Sequence, residues 1–315
     1  MQAHLARIPD LAVSRNTPLS LHTRFGIGGP ADVFAETDSA SAFVAALKAA
    51  RESGIPTMVI GGGTNLIVSD DGFRGIVLRY TAAGLRAEGT RVEADSGAVL
   101  QDLVDFTIDR GLAGVETLAG IPGSVGAAIY GNAGAYRHSI SERVRAVRFF
   151  DGCEEQVFDN RQCEFAYRES IFKSHKDWII FSTTLEMTPA DPAALRRAAN
   201  DILKVRNEKF PITMKCAGSI FKNLLLRELP ASAAEQVPPA AVREGKIPAA
   251  WFLEQVGAKG MQRGAIYVAD YHANLIYNAG GGTAADLCAL IRQLKLLVRE
   301  RFGFELEEEV QYVGM

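Results

Sequence analysis

Apolar residues recur three and four positions apart in four long stretches and run continuously or alternate in several shorter ones, a pattern that predicts helices interleaved with strands. After Asp38, the residues Phe43, Val44, Leu47 and Ala50 share one helical face, and Gly54 stands where such a helix stops. Residues 99–110 repeat the pattern with Leu100, Leu103, Val104 and Ile108 ahead of Gly111. A third helix starts where Asp191 can cap and Pro192 fits the first turn, and continues through LRRAANDILKVRNEK. The fourth has Thr283 as N-cap, Asp286 in its first turn, LCALIRQLKLLVRERF as its body and Gly303 at its end.

Short apolar runs at 57–60 and 76–79 read as strands bracketing GGGTNLIVSDDGFRG, and DVFAE after Pro30 reads as another. RVRAVRFF, an Asp151-Gly152 turn and EQVFD predict a hairpin, WIIFSTTLEM adds a buried strand, and FELEEEVQYVG alternates as a closing strand. Residues 112–136 hold too many glycines for either regular element, and residues 229–248, rich in Ala and Pro, read as a loop or short helices. With no repeat visible, the alternation predicts layered α/β or α+β domains.

Composition narrows the class. At a usual ~100–200 residues per domain, 315 residues predict two or three domains. Hydrophobic residues at 48% and charged residues at 23% exclude disorder, collagen and coiled coil as the main organisation. A formal net charge of −3 without a basic stripe argues against nucleic acid as a partner. No stretch approaches the roughly 18 apolar residues that span a bilayer, and MQAHLARIPDLAVSRN lacks a signal-peptide core, so no membrane partner and a cytoplasmic location are expected. Cys153, Cys163, Cys216 and Cys288 show neither CxxC spacing nor histidine neighbours, and His4, His22, His138, His175 and His272 form no i, i+4 pair; reduced thiols and no metal site are expected.

GIGGPA at 26–31 fits G-x-G-x-x-A, but a strand rather than a helix should follow it, which argues against a Rossmann site. No P-loop occurs, since Gly245-Lys246 is followed by Ile247. GGGTN at 61–65 lets backbone N–H groups approach an anion, although a plain flexible turn has the same composition. The density of glycine in GLAGVETLAGIPGSVGAAIYGNAGAY suggests backbone pressed against something large and flat or anionic, and two such loops fit one extended cofactor with a diphosphate and rings. Lys204, Arg206, Lys209, Lys215 and Lys222 surround an Ala-Gly-Ser turn and could bind a phosphate or carboxylate, Lys204 and Lys209 reading more simply as a solvated helix face.

Taken together, HTRFGIGGPADVF, GGGTNLIVSDDGFRGIVLR, GLAGVETLAGIPGSVGAAIYGNAGAY, FAYRESIFK, CAGSIFKN and FELEEEVQYVG resemble the UDP-N-acetylenolpyruvoylglucosamine reductases, flavoenzymes that make UDP-N-acetylmuramate for peptidoglycan. The resemblance runs from about residue 19 to 314 with motif order and spacing kept. It implies an α+β fold, with a two-subdomain FAD-binding domain of the vanillyl-alcohol-oxidase type plus a C-terminal α/β substrate-binding domain. On this sequence the boundaries fall at residues 1–82, 83–190 and 191–315, with a final strand at about 304–314 returning to the active site. It further implies non-covalent FAD, NADPH as co-substrate, a nucleotide-sugar substrate (UDP-N-acetylglucosamine enolpyruvate) and a monomer. Gly61, Gly62, Gly63, Thr64 and Asn65 would lie along the FAD diphosphate. Gly120, Ile121, Pro122, Gly123, Ser124, Gly126, Ala127, Gly131, Asn132, Gly134 and Ala135 would wrap the cofactor toward its flavin end.

In this family the flavin N5 passes hydride to the terminal carbon of the enolpyruvyl group, leaving carbanion or enolate character beside the substrate carboxylate. Arg168, in YRES, matches the arginine that holds the carboxylate and stabilises that charge; Ser219, in AGSIFKN, matches the serine that delivers the proton; Glu309, in EEEV, matches the glutamate that acts with the arginine. Lys222 and Asn223 match substrate-binding FKN residues, with Tyr167 and Lys215 as further substrate candidates. Taken singly, each catalytic candidate also fits a structural role: a bridging arginine, a capping serine, a solvated glutamate. The chain departs from the pattern at Leu224, where proline is usual, and at Arg137-His138, where glycine is usual. Residues 181–191 are too short for the tyrosine-bearing loop of some members, so residues 224–248 are expected to form part of the cover over the diphosphate. Two competing readings are an alcohol or lactone oxidase on the same scaffold, opposed by the absence of a histidine for flavin attachment in the two glycine loops, and a catalytically silent nucleotide-sugar binding protein, opposed by the retained Arg168, Ser219 and Glu309.

Overall fold

The hairpin predicted from RVRAVRFF and EQVFD forms one side of a five-stranded antiparallel sheet in the order Glu155–Asp159, Val144–Phe150, Ile179–Glu186, Arg91–Asp95, Leu85–Glu88. Alternation along these strands sends Val147, Phe149 and Leu185 into one core, where they pack with Leu103, Val104 and Ile108 of the helix Leu100–Asp109 and with Leu195 and Ala199 of the helix Pro192–Lys209. Phe150, Ile179 and Phe181 enter a second core with Phe43, Ala46, Leu47 and Ala50 of the helix Ala40–Glu52. That helix lies on a four-stranded sheet in the order Ala12–Pro18, Pro30–Thr37, Phe73–Tyr80, Thr57–Ile60. The structure is a computed structural model describing residues 2–315.

These elements make unit 1, comprising the chain up to Thr17, Ala31–Gly62 and Arg74–Lys209; unit 2 comprises Pro18–Pro30, Gly63–Phe73 and Phe210–Met315. Unit 1 thus takes in residues 83–190 and most of residues 1–82, but not Pro18–Pro30 or Gly63–Phe73, together with the helix Pro192–Lys209, which the sequence pattern grouped with the third domain. In unit 2 the antiparallel strands Gln262–Arg263, Ile266–Ala269 and His272–Asn278 share a core with the helices Ala249–Gln255 and Ala284–Phe302. Asp70 and Thr283 cap the long helix: the Asp70 carboxylate accepts from Ala284 N at 2.8 Å and Ala285 N at 2.9 Å, and Thr283 Oγ1 accepts from Asp286 N at 3.0 Å.

The first helix follows Asp38 as the spacing indicates, and Ser39 caps it, its hydroxyl accepting from Ala42 N. Several expectations are corrected. Residues 112–136 are not uniformly irregular, because VGAAIY forms the helix Val125–Tyr130 under the Ser124 cap. The Asp151-Gly152 turn is wider than two residues: the strands end at Phe150 and restart at Glu155, and Asp151 Oδ1 accepts from Cys153 N and Glu154 N. Only Gln311–Val313 of the tail is a strand, parallel to Leu66–Val68, an element absent from the sequence reading. Residues 224–248 leave and rejoin unit 2 through the pair Leu224–Leu225 and Lys246–Ile247 and bury Ala233 and Val237 in its core. GIGGP is explained by packing: Leu19 N and Ser20 N donate to the Gly29 and Gly28 carbonyls, Gly29 N donates to Ser69 O at 2.8 Å, and a Cβ on Gly28 would lie 2.8 Å from Val68 Cβ.

Candidate active site

In unit 1 the strand Thr57–Ile60 delivers Gly61 and Gly62 to the start of the helix Val125–Tyr130. A Cβ on Gly61 would lie 3.4 Å from Ser124 Oγ, and one on Gly62 would lie 3.6 Å from Gly123 Cα and 3.7 Å from Ser124 N. The helix is pinned from below, with Val125 N and Gly126 N donating to Ala98 O and Ser96 O at 2.8 Å each, and Ala127 N donating to Ser124 Oγ at 3.3 Å. Gly126 is glycine because a Cβ would approach Ser96 Cβ to 2.6 Å. Among the described residues the amides of Gly62, Gly123 and Ser124 donate to no protein acceptor. Neighbouring backbone donors with no side chain between them are what a phosphate oxygen needs, so these residues fit the diphosphate of FAD. Gly120, with φ +74°, donates its N–H to Gln101 Oε1 at 2.8 Å, Ile121 N donates to Leu118 O at 3.0 Å, and Pro122 follows before the glycine-serine cap.

Beyond Gly131 the chain makes two linked turns. Residues 134–139 form a hairpin whose loop residues, Tyr136 and Arg137, both have positive φ (52° and 73°), the pattern of a type I′ turn. Residues 166–169 form the second, closed by Ala166 N to Glu169 O at 3.0 Å and Glu169 N to Ala166 O at 3.1 Å, with Arg168 at φ +59°. A side-chain-bearing residue pays roughly 1–2 kcal/mol for this conformation, and glycine is the default at such a turn position. Three bonds join the turns: Ser170 Oγ to Tyr130 O at 2.7 Å, Asn132 Nδ2 to Ala166 O at 2.8 Å and Arg168 Nη2 to Gly134 O at 3.2 Å. Asn132, buried and itself left-handed at φ +43°, therefore has its amide donor engaged by protein, and its Oδ1 accepts from Ser141 N at 3.4 Å. Tyr167 is exposed, with the Arg168 guanidinium 5.5 Å from its ring centroid. Ala135 pairs with His138 in the hairpin.

In unit 2, Gly63 is fixed by φ +63° and by the His22 carbonyl, which a Cβ would strike, while its own carbonyl accepts from Arg24 N at 3.2 Å. Thr64 follows, and Asn65 turns toward the tail: Asn65 Nδ2 donates to Glu309 O at 2.8 Å, and Gln311 N donates to Asn65 O at 2.9 Å. The segment 219–222 lies between the tail and the strand His272–Asn278. Glu309 N donates to Ile220 O at 2.8 Å, Lys222 N to Glu307 O at 2.9 Å and Ile220 N to Asn274 O at 3.1 Å. The buried Asn274 amide closes the other edge, accepting from Phe221 N and donating to Phe221 O, both at 2.9 Å. Ser219 and Glu309 are thus carried on adjacent, cross-bonded segments, Ser219 following Gly218 at φ +81°. Lys222 Nζ meets Glu307 Oε1 at 2.5 Å, Asn223 Oδ1 accepts from Ala249 N at 3.3 Å, and a Cβ on Gly26 would lie 3.2 Å from the Lys215 side chain. Lys204 is exposed on its helix.

Two further residues of FAYRESIFK, Ser170 and Lys173, bear on the turn at Arg168. Ser170 joins the turns as above, and Lys173 Nζ reaches Glu169 Oε1 at 3.0 Å; the i, i+4 charge pair was the available signal.

A family model described as UDP-N-acetylenolpyruvoylglucosamine reductase, C-terminal domain, matches residues 210–313, and one described as FAD binding domain matches residues 31–158. The chain is 71% identical over 310 residues, 98% of its length and 99% of the relative's, to the UDP-N-acetylenolpyruvoylglucosamine reductase of Solibacter usitatus. It is 36% identical over 308 residues, 96% of each chain, to that of Rubrobacter xylanophilus. The crystal structure of the Thermus caldophilus reductase is similar with a TM-score of 0.76 at 26% identity, over 96% of this chain and 99% of that one.

Proposed function

We propose, from the fact that the chain belongs to the UDP-N-acetylenolpyruvoylglucosamine reductase family, that Arg168, Ser219 and Glu309 are its catalytic residues. The protein is an FAD-containing, NADPH-dependent oxidoreductase of peptidoglycan precursor synthesis, reducing UDP-N-acetylglucosamine enolpyruvate to UDP-N-acetylmuramate. FAD, when bound, supplies the hydride relay from NADPH to the enolpyruvyl group. The backbone donors of Gly62, Gly123 and Ser124 would hold its diphosphate. The Arg168 guanidinium grips the substrate carboxylate and stabilises the negative charge that develops beside it, a contribution of about 3–4 kcal/mol for a fixed donor at such a position. Ser219 Oγ gives its proton to the carbon next to the carboxylate, and Glu309 acts with the arginine on that carboxylate. Tyr167, Lys215, Lys222 and Asn223 bind the rest of the substrate.

The observation that carries the assignment is the backbone of Arg168: an arginine at φ +59°, where glycine costs least, is kept for its side chain. The test is anaerobic stopped-flow absorbance of the flavin, reduced by NADPH and then mixed with substrate. Ser219→Ala should slow substrate-driven reoxidation by ~10²–10⁴-fold while reduction by NADPH stays near the wild-type rate. Equal loss in both half-reactions would make the serine structural. We also propose a cytoplasmic monomer that uses neither nucleic acid nor a membrane; no described helix is long and apolar enough to cross one, and sedimentation of the purified protein checks the monomer.

A further inference from the structure

The turn that presents Arg168 is held by a lysine that has no assigned role. Lys173 lies in the single helical turn Ile171–Ser174, and its Nζ donates to the Arg168 carbonyl at 2.7 Å and to Glu169 Oε1 at 3.0 Å. The side chain is only 22% exposed, so the ammonium is substantially committed to the turn. The Ala166–Glu169 bonds close the turn, one of them through the N–H of the peptide between Arg168 and Glu169, and the lysine holds the carbonyl of that same peptide. With that peptide held, the arginine keeps its left-handed backbone and its guanidinium leaves in the direction that brings Nη2 to Gly134 O. Without the ammonium, only the Glu169 N–H bond restrains that peptide against rotation about ψ of Arg168, so the turn can relax to conformations with Arg168 at negative φ, the lower-energy state for any residue with a Cβ, in which the side chain swings away.

We propose that Lys173 is a positioning residue that holds Arg168 in its left-handed conformation and so aims the guanidinium. The inference rests on the role of Arg168 proposed above, and the experiment separates the two. Holoenzymes carrying Lys173→Met, Lys173→Arg, Arg168→Ala and the Arg168→Ala/Lys173→Met pair are reduced with NADPH and mixed anaerobically with substrate. Lys173→Met should slow reoxidation about 10- to 100-fold, the usual effect of displacing a positioned group by about 1 Å, with reduction by NADPH unchanged. Lys173→Arg, which still offers donors to both oxygens, should restore the rate to within about threefold of wild type. The paired variant should match Arg168→Ala alone, because a residue that acts only through the arginine adds nothing once it is gone. A wild-type rate in Lys173→Met, or additive losses in the pair, overturns the proposal. Should Lys173→Met not fold, Lys173→Gln, whose amide stops a bond short of the Arg168 carbonyl, replaces it under the same criteria. Wild-type reoxidation by Arg168→Ala would instead sink the assignment of the arginine, whereas a slowed Arg168→Ala beside an unaffected Lys173→Met sinks only the role of the lysine.

Discussion

Asn132 separates a structural from a cofactor-binding reading of the glycine-rich loop. Its side chain donates to Ala166 O at 2.8 Å and accepts from Ser141 N at 3.4 Å, and its backbone is left-handed at φ +43°. Replacement by alanine removes a bond worth about 1 kcal/mol net; Ala166 O still accepts from Glu169 N, so no carbonyl is orphaned. Alanine also tolerates the left-handed region worse than asparagine, adding about 1–2 kcal/mol, for a total of about 2–3 kcal/mol. Glycine relieves that second cost but loosens the unfolded chain, so Asn132→Gly should lose about 1.5–2 kcal/mol. Urea unfolding of the apoprotein reads both values, and flavin fluorescence gives the FAD dissociation constant of each variant alongside. The two should fall in the order alanine, then glycine, below wild type, with FAD affinity changing no more than stability does. Apoproteins as stable as wild type that bind FAD at least tenfold more weakly would refute this reading and make the amide a cofactor ligand.

The GGGTN loop should split by position: Gly62→Ala meets only ordinary contacts, so stability should hold within about 0.5 kcal/mol while its methyl covers the free amides and weakens FAD about tenfold or more. Gly63→Ala, at φ +63° against the His22 carbonyl, should instead destabilise by more than about 2 kcal/mol; equal melting temperatures for the two variants would contradict this. In unit 2, burial alone would lower the Lys295 pKa, but hydrogen bonds to Glu305 and Glu308 outweigh it and hold the ammonium above the usual lysine range, while Lys295 holds Glu305 below the usual glutamate range. Stability from the raised lysine is complete below its unfolded value near 10.5 and is lost as pH rises through the higher folded value; stability from the lowered glutamate is complete above about 4.5 and is lost as pH falls. Lys295→Met should therefore cost about 1–3 kcal/mol at neutral pH and flatten both limbs of a plot of melting temperature against pH, and an unchanged profile would count against it.

What the sequence made legible follows from where the determining interactions lie. The helix Ala284–Phe302 carries its own signals, Thr283 before it and Gly303 after it at φ +78°, and both ends are where the spacing puts them. The helix Val125–Tyr130 carries none strong enough: it contains Gly126, lasts six residues, and is held by the Ser96 and Ala98 carbonyls nearly thirty positions earlier. The hairpin of Ile266–Ala269 and His272–Asn278 escaped notice because its link, Asp270-Tyr271, lacks the glycine that marks a tight turn. The tail reads as one alternating strand, yet its first part meets the segment 219–222 at one isolated bridge, Phe221 to Glu308, rather than laddering along it, so regular structure begins only at Gln311. The catalytic assignments came from resemblance alone, since an arginine after a tyrosine and a serine after a glycine announce no chemistry by themselves.

Backbone strain supplies a criterion that resemblance does not. Among the described residues, eight without the freedom of glycine have positive φ; three of them, Tyr136, Arg137 and Arg168, fall in the two turns, and a fourth, Asn132, bonds to Ala166 of the second. At roughly 1–2 kcal/mol each, less for asparagine, a chain selected only for stability would place glycine at most of them. The cross-links, including that from Lys173, hold the turns against relaxation from this conformation. At the departure from the family pattern, position 137 adopts φ +73°, which glycine reaches without cost and arginine does not. The substitution therefore changes the energy of the hairpin while its type I′ path remains.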